Sequence, residues 1–223
     1  GWPAVYTALR GMVYTEVAVR TLQRDLHSGT YGGVAPNAIE TLVRILAGLK
    51  DADGEIAIPK LYKSVTPPSK LELKQWKKLP FDKKEYLEKE VTAKALTGLG
   101  EYSVFERTWA LPTLEIHGIR GGFTGEGAKT VIPALAVAKV SMRLVPGLER
   151  EKVFKWLEKA VAKLAPKWAE VEVRELHGGE PVQVDTHHPA FDVLDAAFEE
   201  VTGRGIVRAR AGGSIPIVPE LGK

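Results

Sequence analysis

Cysteine is absent from all 223 residues, which excludes disulfides, thiolate metal ligands and a cysteine nucleophile. Long apolar runs are absent too. No stretch approaches the roughly 18 consecutive apolar residues that a membrane-spanning helix needs, and the first residues do not read as a signal peptide. These absences fit a cytoplasmic protein. An excess of one charge is also missing: 31 basic and 28 acidic residues leave a net charge of +3. With no basic block and no basic stripe interleaved with aromatics, nucleic acid is excluded as an expected partner. What is present is ordinary for a globular core, with 44% apolar and 26% charged residues. The length suits one large domain, or one domain plus a piece of another. The chain starts at Gly1 within Gly-Trp-Pro-Ala-Val, without Met, and ends at Lys223 soon after a glycine-rich motif, so both ends read as cut from something longer.

Hydrophobic periodicity organises the chain. Residues 12–22 are β-branched and nearly alternating, which predicts a strand with one buried face. A loop from Asp25 to Pro36 follows, with glycines at 29, 32 and 33. A helix is predicted over 38–49, capped by Asn37 with Glu40 closing a capping box, and with Ile39, Leu42, Val43, Leu46 and Leu49 as its apolar stripe. Asp51-Ala-Asp-Gly54 has the acids of a calcium loop's opening but not the later acidic positions, and reads as a turn. Residues 60–108 are lysine-rich, with helices predicted near 69–78 and 82–97, and form a helical insertion packed on the domain. Strands are predicted at 112–120, 134–146 and 168–176, with a helix over 149–164 whose apolar side carries Val153, Trp156, Leu157, Ala160, Val161 and Leu164.

Without the insertion, the order is strand, helix, strand, strand, helix, strand. That order predicts an α+β, split βαβ (ferredoxin-like) fold: a four-stranded antiparallel sheet with two helices on one face. After His177-Gly178-Gly179 the pattern changes to a helix at about 189–202 and a short strand at 206–209. This tail of about 45 residues cannot bury a core alone, and is assigned to a second, partial α/β domain.

Few residues offer chemistry. His27 lies in a glycine-containing loop between Asp25 and Ser28, where an imidazole can reach outward as a hydrogen-bond or acid–base group. His117 reads as a structural loop histidine, His187-His188 has no defensible zinc spacing, and Glu199-Glu200 reads as the solvated face of a helix. Taken singly, Arg143 reads as a surface strand arginine, Thr130 as a turn cap and Ser214 as a helix cap.

An ordered set changes that balance. Leu9-Arg10-Gly11, Asp25-Leu26-His27-Ser28-Gly29, Tyr31-Gly32-Gly33, Pro112-Thr113-Leu114, Gly127–Pro133, Ser141-Met142-Arg143-Leu144-Val145-Pro146 and Ala211-Gly212-Gly213-Ser214-Ile215-Pro216 occur in this order. Together they resemble the carnosinase and cytosolic non-specific dipeptidase branch of the aminoacylase/carboxypeptidase-G metallopeptidase family, over essentially the whole chain and most faintly in the insertion. The resemblance implies a homodimerising lid domain over 10–176, with residues 1–9 as the end of a catalytic-domain segment or a linker and 177–223 as part of a catalytic domain. It further implies two zinc or manganese ions in the full-length enzyme and a dipeptide or related amide substrate.

For the residues, the resemblance implies that His27 reaches into the partner subunit's site and steadies the developing oxyanion. Arg143 would grip the substrate's terminal carboxylate, Thr130 would line the pocket, and Ser214, with Gly213 admitting a close backbone approach, would bind the same substrate end. The family's early His-x-Asp does not occur anywhere in the chain, so no metal is expected here and the piece alone is expected to be inactive. A non-catalytic dimerisation module and an acyl-group amidase are the alternatives.

Overall fold

The computed structural model describes residues 2–215 and 217–221. The chain opens with β1 (Ala4–Leu9), β2 (Gly11–Arg20) and the short β3 (Leu26–His27), followed by α1 (Ser28–Tyr31) and α2 (Ala38–Ala47). The insertion holds α3 (Lys70–Trp76), α4 (Lys83–Glu85) and α5 (Val104–Trp109). Then come β4 (Thr113–Gly121), β5 (Val131–Ile132), β6 (Leu135–Leu144), α6 (Arg150–Leu164), β7 (Glu170–Gly179), β8 (Val182–Gln183), α7 (Ala190–Thr202) and β9 (Val207–Ala211). Among the described residues, no helix is long and apolar enough to cross a membrane.

The expected split βαβ sheet is present, in the order β4-β6-β2-β7 with every pairing antiparallel. Alternation along β2 explains its two faces. Val13, Thr15, Val17 and Val19 point into the core, and Met12, Tyr14, Glu16 and Ala18 point to the opposite face. The core side is covered by α2 and α6, through Leu42, Ile45 and Leu46 from one and Val153, Leu157 and Val161 from the other. The opposite face is polar, with Glu16 held by Lys139 of β6 and Arg174 of β7.

Asn37 caps α2 as predicted, its Oδ1 accepting from the Ile39 and Glu40 amides. Glu40 does not close a capping box. Its carboxylate instead meets Arg44 one turn on, at 2.6 Å.

A second sheet, in the order β8-β1-β9, joins the ends of the chain. Residues 4–9 are therefore a strand rather than a linker, parallel to β9 and antiparallel to β8. The chain crosses between the sheets twice, at 9–11 and at 179–182. These crossings pack so closely that a Cβ on Gly11 would lie 2.5 Å from the Gly179 carbonyl oxygen.

The insertion packs on the lid through Leu61, Tyr62 and Val65, as expected, and also reaches beyond it. Its α3 docks on the second sheet, not on the lid: Trp76 packs with Ala110 and Val207, and its indole N–H donates to the Arg208 carbonyl at 2.8 Å. The helix predicted over 82–97 is also shorter. It continues past α4 only as π-helical turns over Tyr86–Val91 and stops at Thr92, whose φ is 52°. The β-branched pair Val91-Thr92 and the lack of any buried residue in this stretch leave nothing to extend it.

Candidate functional site

Two pairs of side chains come together. At the first, β3 pairs with β5 and sets His27 opposite Val131. The Ser28 amide donates to the Thr130 carbonyl at 3.1 Å, and Asp25 accepts from the Ala134 amide at 2.8 Å. This frame orients the imidazole. His27 Nδ1 accepts from the Gly29 amide, and Nε2 lies 3.1 Å from Thr130 Oγ1. The network therefore assigns the proton of the neutral ring to Nε2, which presents an outward N–H beside the hydroxyl. A Cβ on Gly29 would lie 2.9 Å from the ring's Cε1, so a side chain there would push against the imidazole.

The second pair joins the two sheets. Arg143, near the end of β6, donates through Nη1 to Ser214 Oγ at 2.9 Å, in the loop after β9. A Cβ on Gly213 would meet no protein atom within 4 Å. Gly212 is the crowded glycine, since a Cβ there would lie 3.2 Å from the Arg10 guanidinium and 3.3 Å from the Thr108 carbonyl oxygen.

The two pairs stay apart. The His27 frame is tied to Ala134 at one end of β6, and Arg143 lies at the other. About nine extended residues separate them, roughly 30 Å at ~3.3 Å per residue.

His117 is a strand residue with partners rather than a lone loop histidine. It sits at a bulge in β4, stacks on Tyr14 at 5.2 Å and lies 2.8 Å from Ser141 Oγ. His177 stacks on the other side of Tyr14 at 4.9 Å. The pattern of one strand alone could not show this row, which crosses four strands. His187 pairs with Asp185 in the exposed turn before α7, and Glu199 and Glu200 are exposed on α7. Among the described residues, no three His, Asp or Glu side chains gather as a metal site would need.

Residues 7–169 match the family of the peptidase dimerisation domain, found in M20 peptidases. The chain belongs to that family. Its dimerisation domain carries the antiparallel four-stranded sheet with its helices. Over 222 residues the chain is 32% identical to the Cys-Gly metallodipeptidase DUG1 of Candida albicans, covering 96% of this chain and 45% of that one. Over 153 residues it is 37% identical to the human Beta-Ala-His dipeptidase, covering 69% and 30% respectively. Among solved structures, the di-peptidase Dug1p of Saccharomyces cerevisiae superposes with a TM-score of 0.80 at 29% identity, covering 98% of this chain and 46% of that one. The chain thus spans less than half the length of these relatives.

Proposed function

We propose that this chain is the dimerisation and lid portion of a metal-dependent, cytoplasmic dipeptidase, and that each active site is shared between two copies. The observation that carries this reading is the separation of the two pairs along β6. His27 with Thr130 and Arg143 with Ser214 stand roughly 30 Å apart in one copy, too far to hold the two ends of one dipeptide. Paired copies remove the difficulty: one contributes the His27 N–H to the reacting carbonyl, the other the Arg143 fork and Ser214 hydroxyl to the carboxylate. The relatives' names imply a metal, and zinc or manganese on two sites is the proposed complement in the whole protein. Its ligands and the base that activates water are assigned to regions outside this chain, which alone is expected to be inactive.

The copies are proposed to meet along β4 and α2. Ile116 and Ile119 are exposed on this edge strand, and Val43 is exposed on α2. The helix runs beside the strand, with Ile39 next to Gly121 and Lys50 paired with Glu115 at 3.9 Å. The opposite edge, β7, carries Glu170, Glu172 and Arg174, charges of the kind that discourage strand addition.

Mixing two variants of the whole protein tests the shared site. His27→Ala and Arg143→Ala should each be strongly impaired, and their heterodimer should regain activity because one of its sites keeps both residues. No recovery on subunit exchange, with heterodimer present by mass, rejects the arrangement.

A further inference from the structure

Arg10 has no task in the reading above, yet its placement is specific and costly. It is the single residue between β1 and β2, at the crossing from one sheet to the other. Its Nε donates to the Gly212 carbonyl at 2.7 Å, and its Nη2 lies against Gly212 closely enough to crowd any side chain there. Two residues on, Ser214 accepts from Arg143. Arg10 therefore grips the base of the loop whose tip meets Arg143.

The electrostatics run against this arrangement as it stands. Burial lowers the Arg10 pKa to about 10, the Arg143 guanidinium pushes it the same way, and Glu115 opposes them only in part. Among the described residues, neither arginine forms an ion pair with a carboxylate. The Arg10 Nη1 is buried without a hydrogen-bond partner among them. Two neighbouring guanidiniums with an unused donor make a place that an anion would stabilise.

We propose that Arg10 is a positioning residue for the carboxylate end of the substrate. It fixes the 212–214 loop so that Ser214 and Arg143 are held ready, and its charge adds to the field that receives the anion. This rests on the dipeptidase reading and extends it to a residue outside the pairs already described. The physical logic is preorganisation: a loop already clamped loses less freedom when substrate binds.

The kinetic test uses the whole protein with Arg10→Gln and Arg10→Lys, assayed on a dipeptide and on the same dipeptide as its C-terminal amide. For the free acid, KM should rise about tenfold to a hundredfold in Arg10→Gln, the range of one charge-assisted hydrogen bond, with kcat within a few-fold. Arg10→Lys keeps the charge and should recover part of the loss, and the amide should be nearly indifferent to both changes. Equal damage to acid and amide, or an unchanged KM for the acid, would overturn the role.

A wild-type protein that cleaves no dipeptide would instead reject the functional reading, and a second measurement keeps Arg10 testable in that case. This chain is titrated with N-acetylglycine while the Nε resonances of Arg10 and Arg143 are followed by NMR. Movement of both in the wild type, with the Arg143 response lost in Arg10→Gln, supports the proposal. Resonances that stay still in the wild type, or an Arg143 response that survives in Arg10→Gln, overturn it.

Discussion

At His27 the proposed chemistry depends on which nitrogen carries the proton, and the turn decides that. The Gly29 amide occupies Nδ1, so Nε2–H is the donor the protein presents. A single preorganised donor to a developing oxyanion is typically worth about 10²–10³ in rate. His27→Ala in the whole protein should therefore lower kcat by that factor while changing KM little, as steady-state kinetics would register. Gly29→Ala should act in the same direction but more weakly, because the added methyl crowds Cε1 and tilts the ring without removing it. A Gly29→Ala enzyme as fast as the wild type would mean that the turn does not set the ring's aim. The sequence pointed to His27 through its loop and through the ordered motifs. The tautomer was not legible, because it comes from a backbone amide whose direction only the folded turn defines.

Elements were legible where one periodic face meets one core. The strands of the four-stranded sheet and the helices α2 and α6 all follow from alternation or an apolar stripe, and each lies within a few residues of its predicted range. Elements whose partners are distant in sequence were less visible. Residues 4–9 look like a linker until β8 and β9, more than 170 residues later, supply their neighbours. The edge strand β4 shows the same limit, since its pattern predicted a strand but not that Ile116 and Ile119 are exposed on it. Exposed apolar residues on a free edge favour pairing with another copy. Ile119→Lys should accordingly shift the dimer towards monomer with little loss of fold, because the side chain is already in solvent in one copy. Sedimentation velocity beside circular dichroism checks this, and a variant that stays dimeric at the same concentration removes β4 from the interface.

For the whole molecule, the question is what makes two sheets behave as one body. Besides the paired crossings and the Arg143–Ser214 bond, the insertion joins them through α3. Gln75 both donates to the Ile206 carbonyl and accepts from the Arg208 amide, so it covers the free edge of β9 as a neighbouring strand would. Beneath it, Glu72 and Arg210 form a buried bidentate pair at 2.8 and 3.0 Å, linking residues 138 positions apart. Burial alone would raise the Glu72 carboxyl. The hydrogen bonds from Arg210 and the Ser69 amide outweigh it and hold the group below its ordinary 4.5. A carboxyl depressed in the folded state contributes stability that is complete above its unfolded value. That contribution is lost as pH falls through the lower folded value. The docking of α3 on β9 should therefore weaken only below about pH 4.5, and the wild type should lose part of its thermal midpoint there that Glu72→Gln has already lost at pH 7. At neutral pH, removing one partner strands the other charge in a dry setting and should cost about 3–5 kcal/mol. Calorimetry would show whether that loss also splits a single transition into two. A single, undisplaced transition in Glu72→Gln at pH 7 would mean that the crossings at 9–11 and 179–182 hold the sheets together without the insertion.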